Sequence, residues 1–400
     1  MRSPLKQFAF GTLVLAGVLV SCNRQPTDKG ASFGDQAPET AFAPTPIEGS
    51  TNNSYKLRLE WHGNDSDGII KGYEYRVQGA QNNNAWQFTE DFFVNFRLRD
   101  GWYTVEVRAV DNTGNADPTP AKLRFHVLGP TFDKGLLLMD DEPPNTAVIE
   151  TMTDASYDSI LKEAGYANYT SWDYQKQFAT GRPVFVSNQL DSAGQRQISL
   201  SSFTTIIWYS TSTGNLGLNK SSLQDYLDMG GNLIIAGSGT LESLTGETPT
   251  GADLPTSGLA FRNFRVLRAK TIDMYVDQIL SAHPAMPNLK TSYLIPRTTI
   301  TQYLKAPMNQ LVPLFDAEPL FAFSTNYYRD ASRNINVNSE EFAGLSCAQL
   351  YRGPNFNAAI FGFPLVSVVR AGAANVNLVN RKAMTEAVRY LLADVFKAPR

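Results

Sequence analysis

Two hydrophobic periods divide this chain, and the change from one to the other falls at Gly129-Pro130. Before that point apolar and polar side chains alternate. Leu57, Leu59 and Trp61 form one row, Tyr73, Tyr75 and Val77 a second, and Val94, Phe96 and Leu98 a third. Tyr103, Val105, Val107 and Ala109 form a fourth, and Leu123, Phe125 and Val127 a fifth. A strand points successive side chains to opposite faces, so this alternation predicts half-buried strands. Turn-forming clusters separate the rows: Asn64-Asp65-Ser66-Asp67-Gly68, Arg99-Asp100-Gly101 and Asp111-Asn112-Thr113-Gly114-Asn115. Short strands between frequent turns predict an all-β sandwich over residues 51–129.

Beyond Gly129-Pro130 the apolar runs become continuous. Leu136-Leu137-Leu138-Met139 ends in Asp140-Asp141, and Ile206-Ile207-Trp208-Tyr209 ends in Ser210. Leu233-Ile234-Ile235-Ala236-Gly237 and Ala358-Ala359-Ile360-Phe361 follow, and Tyr169-Thr170-Ser171-Trp172-Asp173 reads as a further strand. Residues 157–165, 221–229 and 381–396 have helical periodicity. Strands apolar throughout, alternating with amphipathic helices, predict a doubly wound parallel α/β sheet covered on both faces over residues 130–400. Residues 250–357 are less regular and read as an insertion with antiparallel hairpins. The short join between the domains predicts a shared interface, for which Trp102 and the acids near Asp111 are candidates.

The amino terminus carries an export signal. Arg2 and Lys6 precede an almost wholly apolar stretch, residues 8–20, too short to span a bilayer, which needs roughly 20 apolar residues. Leu19-Val20-Ser21-Cys22 resembles a lipobox, which implies a signal peptide at 1–21, cleavage before Cys22 and lipid on its thiol. Residues 22–50, rich in Pro, Thr, Ala, Gln and Gly, read as a flexible tether. The expected location is the cell envelope, lipid-anchored, and an outer membrane in particular, because Asn23 replaces the retention Asp of enteric lipoproteins. The only other cysteine, Cys347, lies in an apolar setting and reads as a buried, inert thiol. A formal net charge of -3 without a basic cluster gives no reason to expect a nucleic-acid partner.

Two family resemblances bear on fold. The stretch Leu98-Arg99-Asp100-Gly101-Trp102-Tyr103-Thr104-Val105 resembles the fibronectin type III pattern, with Tyr103 at the corner tyrosine and Trp61 at the core tryptophan. The second domain resembles the class I glutamine amidotransferase-like, flavodoxin-type fold. The resemblance rests on Leu136-Leu137-Leu138-Met139-Asp140-Asp141, Ile206-Ile207-Trp208-Tyr209-Ser210, the segment from Leu223 to Gly237, and Phe361-Gly362-Phe363-Pro364-Leu365. It implies a nucleophile elbow at Ala236-Gly237-Ser238-Gly239-Thr240, where Ser238 replaces the family's Cys and the outer glycines are lost. No His stands at the family's late-strand position, and His283 is the domain's one histidine. The resemblance therefore implies a non-catalytic member.

The candidate ligand-binding residues are Asp140, Asp141, Trp172, Asp173, Ser210 and Ser238, because open α/β sheets bind ligands beyond the carboxyl ends of their strands. In a ligand site there Trp172 would stack on a sugar ring and the acids would accept its hydroxyls; the alternative reading makes Trp172 and Trp208 core residues. No cofactor or metal site is expected. Asp140, Asp141, Glu142 and Asp173 lack a histidine to join them, and Asp65-Ser66-Asp67-Gly68 lacks the distal Glu of a calcium loop and reads as a polar turn. The expected function is non-enzymatic: binding of, or scaffolding for, an envelope protein or glycan. The alternative is an envelope or polysaccharide hydrolase using Ser238 or a carboxylate-bound metal.

Overall fold

The computed structural model describes residues 35–79, 84–142, 147–174, 183–185, 198–210, 214–237, 239–272, 274–275, 278–290, 308–323, 328–330, 335–337, 343–366, 368–371, 374–377 and 381–400. The signal peptide, Cys22 and Ser238 lie outside these residues.

Eight strands build the first domain: β1 (Glu39–Phe42), β2 (Asn53–Ser54), β3 (Lys56–Asn64), β4 (Ile70–Gln78), β5 (Gln87–Thr89), β6 (Phe93–Arg97), β7 (Gly101–Asp111) and β8 (Ala121–Leu128). They form two sheets, in the orders β1-β3-β6 and β2-β8-β7-β4-β5. The predicted rows supply the core, with Leu59, Val105, Val107, Ala109, Phe125 and Val127 wholly buried and Trp61 and Tyr103 nearly so. The Tyr103 hydroxyl donates to the Arg99 carbonyl at 3.1 Å, closing the corner that leads into β7. Two packed sheets in these orders, with a tyrosine closing the corner, make the sandwich expected of a fibronectin type III-like module.

The first strand corrects the expected boundary. Residues 39–42, assigned by composition to the tether, pair antiparallel with β3 from Glu39↔Asn64 to Phe42↔Trp61. Thr40 ties this strand to the other sheet: its Oγ1 accepts the Ala109 N–H at 2.7 Å. A four-residue edge strand carries too few apolar residues to announce itself by period.

In the second domain the strands are β9 (Lys134–Asp140), β10 (Tyr169–Asp173), β11 (Pro183–Val184), β12 (Ile198–Ser199), β13 (Phe203–Ser210), β14 (Asn232–Gly237), β15 (Thr250–Asp253), β16 (Val266–Ile272), β17 (Met274–Tyr275), β18 (Gln278–Ser281), β19 (Leu289–Lys290), β20 (Met308–Pro313), β21 (Ala317–Phe323), β22 (Tyr328–Asp330), β23 (Ile335–Val337), β24 (Ser346–Arg352), β25 (Asn357–Phe361), β26 (Val368–Ala371) and β27 (Ala374–Asn377). The main sheet has the order β10-β9-β13-β14-β25-β24-β21-β18-β19. Its first five members are parallel to one another. The remaining four are antiparallel to their neighbours. The irregular stretch 250–357 is therefore not wholly an excursion. It contributes four strands of the same sheet, and β15-β16-β20 form a smaller sheet beside it.

Helices cover both faces. Leu136, Leu138, Ile207, Ile234 and Ala359 point to one side, against α1 (Ala147–Ala164) and the carboxyl-terminal helix. Leu137, Met139, Ile206, Trp208, Leu233 and Ile235 point to the other, against α2 (Lys220–Asp228), α3 (Thr240–Thr245) and α4 (Leu259–Phe264). The terminal helix, α5 (Arg381–Arg389), continues as a wider π-helical stretch, Tyr390–Val395. Cys347 on β24 is fully buried, and burial pushes its thiol pKa far above the ordinary value, so it stays a protonated packing group.

The domains meet through charged and aromatic contacts. Asp225 accepts from the Tyr55 hydroxyl at 2.6 Å and from Lys56 at 2.6 Å, and Asp228 pairs with Arg97 at 2.7 Å. Tyr55 packs edge-on against Phe185 at 4.8 Å. Trp102 instead packs under Arg124 and beside His126 within the sandwich, and Asp111 ends β7 at the sandwich end away from the join. The interface thus uses the near ends of β3 and β6. Removing the Asp225 carboxylate strands a half-buried hydroxyl and a cation, at a cost of about 1–3 kcal/mol. Asp225→Ala is expected to lower the urea midpoint accordingly, and calorimetry of Asp225→Ala/Asp228→Ala should resolve two transitions where the wild-type chain shows one. A single unchanged transition would show that these contacts do not couple the domains.

Candidate functional site

The parallel strands are not laid down in spatial order. β10 lies to one side of β9 and β13 to the other, so the chain reverses direction across the sheet at β9 and leaves a crevice beyond its carboxyl end. Register places Asp173 opposite Asp140 and Asp140 opposite Tyr209. Register partners in a parallel sheet share a face, and these three form the last rung on the side covered by α1.

A cavity of about 410 Å³ opens above that rung. Its polar lining is Asp140, Asp154, Asp158, Asp173, Ser171, Tyr169 and Tyr209. Tyr169, Ser171 and Asp173 are alternate residues of β10 and therefore point the same way. Asp154 and Asp158 come from α1, one turn apart. Tyr157, from the same helix, stacks on Tyr209 with ring centres 3.9 Å apart.

These acids differ in environment. Asp140 is 5% exposed, and burial raises its pKa to about 7, assisted by the nearby charges of Asp154 and Asp173 and opposed by the Glu142 N–H it accepts at 3.0 Å. Asp158 stays well ionised because Lys162 donates to it at 2.9 Å and the Tyr169 hydroxyl at 3.0 Å. Burial and the Asp158 bond raise Tyr169 to about 12, and burial raises Tyr209 much further, so both phenols remain donors at neutral pH. The lining offers carboxylate acceptors and phenol donors and includes no Lys or Arg.

The other candidates go elsewhere. Asp141, next to Asp140, points to the opposite face, where its carboxylate accepts from Trp208 Nε1 at 3.1 Å, Asn215 N–H at 2.5 Å and Asn215 Nδ2 at 2.8 Å. Ser210 donates to the Asp141 carbonyl at 2.9 Å. Both therefore pin the segment after β13 rather than line the pocket. Trp172 precedes Asp173 and so faces the α2 side, half-buried against that core and turned away from the pocket sugar it was expected to stack on. Ser238 falls outside the described residues, between Gly237 at φ 143° and Gly239 at φ 72°. A Cβ on Gly237 would collide with the Ser210 carbonyl, so this strand-to-helix turn requires glycine.

No histidine can serve that turn. His62 and His126 belong to the sandwich. His283 follows β18, four strand spacings from β14, or roughly 19 Å. β18 also runs antiparallel to β14, so its end lies at the opposite edge of the sheet. His283 there packs against Tyr390 with its Nε2 3.7 Å from Glu318. Among the described residues no group of three or more His, Cys, Asp or Glu is arranged to hold a metal ion.

Sequence reasoning missed Asp154, Asp158, Tyr169 and Tyr209. The signal in α1 was weak: Asp154 and Asp158 stand at i and i+4, where like charges repel by a few tenths of a kcal/mol, but Lys162 one turn further on offsets that charge.

No family model matches the chain, and no curated protein matches it. Among solved structures it is similar to the fibronectin(III)-like modules of CbhA from Clostridium thermocellum, at 17% identity over 22% of this chain and 96% of that one, TM-score 0.19. It is similar to the PKD1 domain of Epp from Vibrio anguillarum, at 20% identity over 23% and 98%, TM-score 0.18. A third is SGBP-B of the Bacteroides ovatus mixed-linkage glucan utilization locus, in complex with a mixed-linkage heptasaccharide, at 14% identity over 26% and 30%, TM-score 0.18.

The Asp140 environment makes a pH prediction. Its folded pKa lies above its unfolded value, so folding takes up a proton between about pH 4 and pH 7 and stability falls as pH rises through that window. Asp140→Asn removes this loss. Its urea midpoint should match the wild type near pH 4 and exceed it by a growing margin up to pH 8. Parallel profiles across this range would refute the buried, proton-linked state.

Proposed function

We propose that this chain is a lipid-anchored, non-enzymatic binding protein of the cell envelope whose ligand is a neutral glycan. The observation that carries the reading is the acid- and phenol-lined cavity above the Asp173–Asp140–Tyr209 rung. Its volume suits a small ligand. Four carboxylates without a lining cation repel phosphate and other anions, whereas sugar hydroxyls donate well to carboxylates and to phenol oxygens whose own protons are given to Asp158 and Asp154. Tyr169, half-buried at the cavity wall, adds ring surface of the kind on which a sugar can rest. The order of the five parallel strands, second-first-third-fourth-fifth, together with helices on both faces, supports a flavodoxin-type, amidotransferase-like domain. The position of His283 supports the non-catalytic reading, since a serine nucleophile needs a base within hydrogen-bond reach.

The anchor rests on the sequence of residues 1–22 and on the lipobox-like Leu19-Val20-Ser21-Cys22. Among the described residues no helix is long and apolar enough to cross a membrane.

Glycan-array screening followed by calorimetric titration of the chain from residue 35 tests the ligand. A neutral oligosaccharide should bind, and Asp173→Ala and Asp154→Ala should each weaken it about tenfold or more, the loss expected for one charge-assisted hydrogen bond. Binding that survives both substitutions, or preference for an amine, would displace the reading. Turnover of an envelope polysaccharide that Ser238→Ala abolishes would restore the hydrolase. For the anchor, Cys22→Ser should abolish acylation and leave the precursor uncleaved, and mass spectrometry of wild-type protein with an unmodified Cys22 would refute it.

A further inference from the structure

The sandwich end away from the second domain gathers acids without gathering cations. Two turns meet there, one between β3 and β4 and one after β7. The Asn112 N–H donates to the Ile69 carbonyl at 3.0 Å, and Asn112 Oδ1 accepts the Ile69 N–H at 3.2 Å. The segment before β1 lies across both turns. Asp35 accepts from Asn115 Nδ2 at 2.7 Å and from the Thr113 hydroxyl, and the Gln36 N–H donates to Asp67 at 3.0 Å. Asp35, Asp65, Asp67, Asp111 and Asp117 are thereby brought to one end. Among the described residues none of the five forms a salt bridge, whereas acids elsewhere on the sandwich, such as Glu74 and Glu106, do.

Two of the five have an oxygen shut off from solvent. Trp61 and Gly63 are alternate residues along one inward row, with Asp65 just past the end of its strand, and Val107, Ala109 and Asp111 lie along another. The rows touch one step below the acids: a Cβ on Gly63 would lie 2.9 Å from the Ala109 Cβ. One further step on each row brings Asp65 and Asp111 to the mouth of the core. Asp111 is 1% exposed. Its Oδ1 accepts the N–H groups of Thr113, Gly114 and Asn115 at 2.7–2.8 Å and the Thr113 hydroxyl at 2.8 Å. Its Oδ2 is shut off from solvent and has no partner. Asp65 repeats the pattern, with Oδ1 accepting the Asp67 N–H at 3.2 Å and Oδ2 buried and bare. A Cβ on Gly68 would collide with Asp65 Oδ2 and lie 3.1 Å from Asn112 Oδ1, so these two oxygens flank one point.

Burial works to raise the Asp111 pKa, but the hydrogen bonds from Thr113, Asn115 and Gly114 outweigh it and hold the carboxyl below the usual range. The group is charged at neutral pH. A bare ionised oxygen withdrawn from water is costly. A hard cation offsets that cost.

We propose that Asp65, Asp111 and Asn112 bind a calcium ion at this end of the sandwich through their side-chain oxygens, with water and backbone carbonyls completing the shell. Calcium tolerates the irregular oxygen geometry of two turns, which magnesium does not. The linear sequence reads Asp65-Ser66-Asp67-Gly68 as a plain turn because the further carboxylate arrives from β7 rather than from the same loop. Two carboxylates place the affinity at the weak end of the range, Kd about 0.1–1 mM, typical of extracellular modules. The ion would also clamp the Thr113–Asn115 turn to which Asp35 is bonded, and so stiffen the point where the preceding segment leaves the domain.

Calorimetric titration of the full chain with CaCl2 alone, beside thermal melts in 10 mM CaCl2 and in EGTA, tests this. One ion should bind per chain, and calcium should raise the melting transition by several degrees. Asp65→Asn should weaken binding at least about tenfold and remove the shift, since it withdraws one of two anionic ligands. That substitution keeps the oxygen that accepts the Asp67 N–H and so spares the turn, whereas Asp111→Asn also disturbs a four-bond cap. Asp173→Asn, in the pocket of the other domain, should leave the calcium response unchanged. No calcium binding by the wild-type chain at 10 mM, or undiminished binding by Asp65→Asn, overturns the proposal.

Discussion

A parallel sheet buried on both faces leaves little room for charge along its strands, and the carboxyl ends are where that restriction lifts. Leu136, Leu138, Ile207 and Ile234 meet α1 and α5 on one side, and Leu137, Met139, Trp208 and Ile235 meet α2 to α4 on the other. At the final rung Asp173, Asp140 and Tyr209 stand where Leu136, Leu138, Ile207 and Ile234 fill the middle of the sheet on the α1 side. The crossover places β10 and β13 on opposite sides of β9, and α1, which connects β9 to β10, lines the crevice there with Asp154 and Asp158. The pocket is thus a consequence of strand order, and its acidity is a consequence of which residues end the strands.

The same constraint separates residues that look equivalent in sequence. Asp140 and Asp141 are adjacent acids at the end of one strand, yet one titrates in an open cavity and the other is tied by Trp208 and Asn215 on the far face. Trp172 and Asp173 divide in the same way. Grouping them as one site overlooked the alternation that had located the strands in the first place. Strand positions and most of the core were legible because burial on both faces leaves an unbroken apolar run, and the sandwich was legible because burial on one face leaves an alternating one. The remaining features depend on contacts remote in sequence. Residues 39–42 become a strand only because β3 offers them an edge, and β24, β21, β18 and β19 join the main sheet through neighbours that no local period reveals.

The two domains also divide the molecule's polar contacts by end. The near end of the sandwich presents Tyr55, Lys56 and Arg97 to Asp225 and Asp228, and charge is satisfied there by opposite charge. At the far end Asp65 and Asp111 keep buried oxygens that nothing among the described residues satisfies. Asp35 and Gln36 bond to the turns at that far end.

The chemistry of the pocket follows from how its proton is held. Asp140 sits near its titration point at neutral pH because burial resists its charge while Asp154 and Asp173 add repulsion. Catalysis by proton transfer would ask for such a group, but a hydrolytic nucleophile needs its own base, and the three histidines lie in the sandwich or at the opposite edge of the sheet. A carboxyl poised in this way has another use. Protonated, it donates to a ligand oxygen; ionised, it accepts from a ligand hydroxyl. A hydroxyl serves in either role, so a hydroxyl-bearing ligand of the kind proposed above would be satisfied by Asp140 in both states.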